Sequence, residues 1–178
     1  MPETIREEII KNKKSIVVAG TSGKTTTTAI LAWILKKAGL KPTALVGGTM
    51  KNINSGHTVG NGNYVVIEGD EYNSSFYDSS PKFLHYRPYH AIITNIQPDH
   101  LDIYGNMDNI FKAFQKLVKI IPQNGSLILN KADQHTSEII REAKSKTVTF
   151  GKNGNVWTNR INATPEGTSF VVYNRSGR

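Results

Sequence analysis

Apolar residues follow two rhythms along this chain. Unbroken runs in "SIVVAG" (15–20), "YVVIEGD" (64–70) and "HAIITNI" (90–96) predict strands buried on both faces, as in a parallel sheet. "TALVGG" (43–48), "SLILN" and "TVTFG" predict three more. Between them the spacing turns helical. Ile5, Ile9 and Ile10 mark a short helix over 3–12. Ile30, Leu31, Ile34 and Leu35 are expected on one side of a helix from about Lys24 to Gly39, with Pro42 just beyond. Ile110, Phe111, Phe114, Leu117, Val118 and Ile121 recur at helical spacing over 107–121, and "DQHTSEIIREAKS" predicts a last helix. The Gly/Asn-rich stretch "GGTMKNINSGHTVGNGN" reads as loop or loosely paired strand.

Strand–helix alternation over 15–150 predicts an α/β fold: a mostly parallel sheet with helices on both faces. From "NVWTN" to "SFVVYN" short alternating strands predict a C-terminal β-hairpin extension attached to that sheet. No repeat and no second core is visible. At 178 residues the chain fits one domain with a substantial core.

Composition narrows the function. No apolar run is long enough to span a membrane, and no basic-then-apolar leader is expected. The absence of cysteine removes disulfides and thiolate zinc sites, and fits a cytoplasmic location. A net charge of +8 favours an anionic partner, whether nucleotide, sugar phosphate or nucleic acid. The lysines are scattered ("KNKK", "LKKAGLK", "REAKSK"), as solvated faces are, so neither a nucleic-acid nor a membrane partner is expected.

Three segments carry candidate chemistry. "GTSGKTT" (20–26) is a strand–turn–helix junction two residues shorter than the usual phosphate-binding loop, G-x-x-x-x-G-K-[ST]. Backbone N–H groups and the positive end of the helix dipole gather there and favour phosphate. Gly20 permits a sharp exit from the strand, and Gly23 allows close approach of phosphate. Lys24 can reach the terminal phosphates and the Thr25 hydroxyl can ligate Mg²⁺. The competing reading, an ordinary turn with a threonine cap, leaves Gly-Lys-Thr unexplained.

Glu68 closes a buried strand at its carboxyl end, where open α/β sheets bind ligands, and a carboxylate there can hold Mg²⁺. Asp70 and Glu71 either share that task or cap the following turn. In "IITNIQPDHLD", Asn95, Asp99 and His100 are expected at the same edge, and an imidazole there can meet a metal or a phosphate. His57, His85, His90 and His135 read as structural or solvent-facing. The aromatics of "SFYDSSPKFLHYRPYH" read as packing, and nothing in the spacing assigns Arg87 an anion.

"GTSGKTTTTA", "EGDEY" and "TNIQPDHLD", in that order, resemble the ATP-binding central domain of the Mur ligases of bacterial cell-wall synthesis. The match covers roughly 1–150, on a P-loop NTPase-like fold. The stretch "EGDEYNSSFYDSSPKFLHYRP" is most similar to the murein-recycling branch, with the L-alanine-adding branch the alternative. A folylpolyglutamate synthetase-like ligase and a non-catalytic nucleotide-binding module are more distant readings.

The resemblance implies ATP and Mg²⁺ as cofactors, and UDP-N-acetylmuramate and a murein peptide as substrates joined by an amide. It implies that Gly20, Thr21, Ser22, Gly23, Lys24, Thr25 and Thr26 wrap the phosphates, with Lys24 and His100 catalytic. Thr25 and Glu68 would hold one metal, and His100 a second metal or the acyl phosphate.

Two features depart from the family. Gln115 stands where several members have a carbamylated lysine, with Lys112 and Lys116 expected on other faces of the helix. The family's UDP-sugar domain and C-terminal domain are also not visible, so the whole of 1–178 reads as a central-domain fragment without turnover of its own.

Overall fold

The structure is a computed structural model that describes residues 2–75, 78–98 and 104–175. The chain opens with α1, an α-helical turn Pro2–Thr4 running into a π-helix Ile5–Ile10. There follow β1 (Lys14–Ala19), α2 (Lys24–Lys37), β2 (Thr43–Met50), β3 (Ser55–Thr58) and β4 (Tyr64–Glu68). A small antiparallel pair, β5 (Asn73–Ser75) and β6 (Asp78–Pro81), leads into α3 (Lys82–His85). Then come β7 (Pro88–Ile93), α4 (Met107–Lys119), β8 (Ser126–Asn130), α5 (Thr136–Glu142) and β9 (Lys146–Phe150). The hairpin β10 (Val156–Thr164) and β11 (Gly167–Asn174) ends the described chain.

One sheet carries β11-β10-β9-β8-β7-β1-β4-β2-β3. Its centre, from β9 across to β2, is parallel throughout. The predicted fold class therefore holds, hairpin included, since β10 joins β9 through Val156 opposite Phe150 and pairs antiparallel with β11. The Gly/Asn-rich stretch forms the other edge, where β3 folds back antiparallel on β2.

Unbroken apolar strands are explained by burial on both faces. In β1, Val17 and Ala19 point into the larger core with Phe83, Phe114, Leu117 and Ile139, while Ile16 joins Ala32 and Ala44 on the other side. In β4, Val65 and Ile67 go one way and Val66 the other.

The apolar side of α2 is only partly buried. Leu31 and Leu35 pack against the smaller core, and Thr28 and Ala32 are fully buried, but Ile30 and Ile34 are each 55% exposed. At roughly 100° per residue, Thr28, Leu31, Ala32 and Leu35 make one stripe, and Ile30 and Ile34 fall well outside it. Small Thr28 and Ala32 let the helix lie close on the sheet, a contact that a count of large apolar residues does not favour. The last helix is shorter than predicted, because Asp133 turns the chain by accepting a bond from His135 N at 2.8 Å.

His90, on β7, has its pKa pushed below 6.5 by burial and by the nearby Lys14. The neutral form is favoured in the fold, so this contribution is complete above 6.5 and is lost as pH falls from there through the folded pKa. Urea titrations of wild type and His90→Gln check it. Their stability difference should stay constant above about pH 7.5 and move against wild type between about pH 6.5 and 5.

Candidate functional site

The carboxyl ends of β7, β1, β4 and β2 lie side by side, and the loop, Glu68, Glu71 and Asn95 follow from them. At the end of β1 the backbone at Gly20 takes φ 131°. A Cβ there would stand 2.1 Å from Thr94 Oγ1 and 2.9 Å from Asn95 O, so glycine is required by a close approach as well as by conformation. Gly23 has φ 82°, and a Cβ there would meet nothing within 4 Å, which leaves its outer side open to a ligand.

The turn between them is pinned by the exit of β7. Thr21 N donates to Asn95 O at 3.1 Å, Ser22 N to Asn95 Oδ1 at 2.9 Å, and Gln97 N to Thr21 Oγ1 at 2.9 Å. Thr94 Oγ1 donates to Ser22 O at 2.7 Å. That exit is itself held, since Ile96 N donates to Asp133 Oδ2 at 2.6 Å.

The first intrahelical bond of α2 runs from Thr27 N to Gly23 O at 3.0 Å. The N–H groups of Lys24, Thr25 and Thr26 thus have no acceptor within the helix, and they face outward at its positive end. Thr25 Oγ1 donates to Glu68 Oε1 at 2.7 Å, and Gly47 N, on β2, donates to Glu68 Oε2 at 2.6 Å. A hydroxyl and a carboxylate in contact beside these amides form an oxygen-only donor pair that suits a hard divalent cation.

Lys24 does not reach outward. Its Nζ lies 2.8 Å from Gly20 O, 3.3 Å from Thr21 O, and 3.2 and 3.1 Å from the two carboxylate oxygens of Glu71. Glu71 is 4% exposed. The Tyr104 hydroxyl donates to Glu71 O, and burial together with the Glu71 charge pushes that phenol up to about 12. The hydroxyl therefore stays protonated, and remains a donor, through the physiological range.

The structure thus brings together Gly20 to Thr26, Glu68, Glu71 and Asn95. Asp99 and His100 lie outside the described residues. Thr94, Gly47 and Asp133 were missed. The signal for Thr94 is its place directly after the β7 apolar run, but its use depends on β7 lying beside β1.

Lys112, Gln115 and Lys116 nevertheless line one cleft of about 620 Å³ with Tyr104, Asn109 and Ser80. Positions four apart, with a third between them, share a helix face wide enough to border one groove. Gln115 Nε2 also donates to Glu142 Oε1 at 3.3 Å. His85 Nε2 lies 3.0 Å from Asp78 Oδ2 and Nδ1 3.5 Å from Glu3 Oε1, contacts that link α3 to α1 and β6. Arg87 lies 3.7 Å from Glu7.

Fold and loop together define an α/β domain with a P-loop-like strand–turn–helix junction. Residues 18–178 match the family model "Mur ligase middle domain", and the chain belongs to that family. Among solved structures it is similar to UDP-N-acetylmuramate:L-alanyl-gamma-D-glutamyl-meso-diaminopimelate ligase from Neisseria meningitides. That likeness has a TM-score of 0.88 and 32% identity, and covers 99% of this chain and 56% of that one.

Among curated proteins it is 38% identical over 171 residues to UDP-N-acetylmuramate–L-alanine ligase of Dictyoglomus turgidum, covering 95% of this chain and 35% of the relative. It is 32% identical over 173 residues to the UDP-N-acetylmuramate–L-alanyl-gamma-D-glutamyl-meso-2,6-diaminoheptandioate ligase of Haemophilus influenzae, covering 97% and 38%. The chain spans about a third of the length of these curated relatives. No helix among the described residues is long and apolar enough to cross a membrane.

Gly20→Ala should cost at least about 2 kcal/mol, because the new methyl collides with β7 in a strained backbone. Gly23→Ala should cost about 1–2 kcal/mol from backbone strain alone. Urea unfolding of the two variants checks the order: Gly23→Ala proving the more damaging would contradict the clamp described for Gly20.

Proposed function

We propose that this chain is the nucleotide-binding domain of an ATP-dependent amide-forming ligase of murein-peptide recycling. The observation that carries this reading is the contact of Thr25 with Glu68 at 2.7 Å beside the free N–H groups of α2, in a chain of the Mur ligase family. In the reaction a carboxylate of UDP-N-acetylmuramate attacks the γ-phosphate of ATP, forming an acyl phosphate and releasing ADP. The amine of a murein tripeptide then attacks the acyl carbon, phosphate leaves, and an amide remains. A carboxylate is a poor electrophile and phosphate a good leaving group, which is why the nucleotide is consumed.

The residues fit these tasks. The N–H groups of 24–26 and the turn at Gly23 receive phosphate oxygens, and Lys24 neutralises charge spreading over the transferred group. Thr25 and Glu68 would hold Mg²⁺, which supplies further neutralisation when bound. His100 is assigned a second metal or the acyl phosphate by family position alone. The UDP-sugar and the amine are read as bound chiefly by other domains of a longer ligase, working in the cytoplasm where ATP is available. The L-alanine-adding activity is the second reading, favoured by the 38% identity to the Dictyoglomus turgidum enzyme.

Two experiments test this. Phosphate release by the full reading frame, with UDP-N-acetylmuramate, ATP and either murein tripeptide or L-alanine, should favour the tripeptide. Preference for L-alanine would move the protein to the second branch. In thermal unfolding of this chain, MgATP should raise the midpoint of wild type, and Lys24→Ala should lose most of that rise. An equal rise in both would remove Lys24 from the phosphate site.

A further inference from the structure

We propose that Glu71 is a specificity-determining residue that makes the phosphate site select metal-complexed over bare polyphosphate. The inference rests on the nucleotide reading above and deepens it. An ammonium has three N–H donors, and Gly20 O, Thr21 O and the Glu71 carboxylate engage all three at 2.8 to 3.3 Å. Lys24 and Glu71 are both mostly buried, with side chains 12% and 5% exposed, so water screens the pair poorly.

The backbone that carries Glu71 is also held. The Tyr104 hydroxyl holds its backbone carbonyl, and the neighbouring Asp70 O accepts from Phe83 N at 3.2 Å, with Phe83 wholly buried. The segment that carries Glu71 is thus anchored beside Lys24, and the carboxylate meets the ammonium from it.

The pairing then bears on what binds. Among the described residues, Lys24 is paired with Glu71, while Glu68 is held by the neighbouring Thr25. A bare polyphosphate must compete with Glu71 for Lys24, and brings its own negative charge toward both acids. A polyphosphate carrying Mg²⁺ brings the missing positive charge and can share Lys24 with Glu71. Glu68 and Thr25 alone would explain metal binding. Glu71 adds a penalty on the metal-free ligand, because it holds the loop lysine neutralised until that ligand supplies a counter-charge.

The probe is inorganic tripolyphosphate, titrated calorimetrically into this chain with excess Mg²⁺ and again with EDTA. It tests the phosphate cradle without needing an adenine pocket. Wild type should bind the magnesium form at least about tenfold more tightly. In Glu71→Gln, of nearly the same shape, that preference should shrink by about fivefold or more, chiefly through tighter binding of the metal-free form. Glu71→Asp should keep the wild-type preference. Glu71→Ala, which opens the same space to water, carries the same expectation as Gln and serves if the Gln variant fails to fold.

A merely structural Glu71 would weaken both forms together and leave their ratio unchanged. That result overturns the proposal, as does a wild type that binds both forms equally, and in either case the nucleotide reading stands. Wild type binding neither form would remove that reading and this proposal with it.

Discussion

The contact on which the site depends is the close approach of two neighbouring strand ends, β1 at Gly20 and β7 at Thr94–Asn95. With a Cβ at Gly20 excluded, the exit of β7 closes directly over the turn and takes up its polar groups at Thr21 and Ser22. A turn two residues shorter than the usual phosphate loop has fewer internal partners of its own. Here the next strand supplies them, and Asp133 steadies that strand's exit from behind. The amides of α2 can then be left unpaired without the loop collapsing onto them.

The second constraint is electrostatic. A buried lysine and a buried carboxylate are stable only as a pair, and removal of either leaves an uncompensated charge. Lys24 and Glu71 meet this condition in the resting domain, while Glu68 is occupied by the Thr25 hydroxyl and the Gly47 amide. Both acids are thus held by groups that a phosphate and its metal would engage. Under the proposed function, binding would be an exchange of partners in a cradle already shaped for them, as suits a reaction whose catalysis is mostly positioning and charge stabilisation.

Much of this was legible in the residues themselves. Runs such as "SIVVAG" can be buried only between two layers, and Gly-Lys-Thr at a strand-to-helix junction has few other uses. Other details were not legible. Ile30 and Ile34 share the apolar side of α2 with Leu31 and Leu35 yet lie exposed, whereas close packing on the sheet selected Thr28 and Ala32. Lys112 and Lys116 border one groove with Gln115, because a groove is wider than a single residue.

Local sequence determined the elements, the loop and the acid at the end of β4, because hydrophobic period, glycine and chain direction act over a few residues. Tertiary structure decided which strand ends became neighbours. The order β7-β1-β4-β2 puts Thr94 against Gly20, Gly47 against Glu68 and Glu71 against Lys24, across separations of 21 to 74 residues. No local pattern encodes such pairs. They arise when the sheet buries its apolar faces and each polar group left at the edge must find the partner that the packing brings within reach.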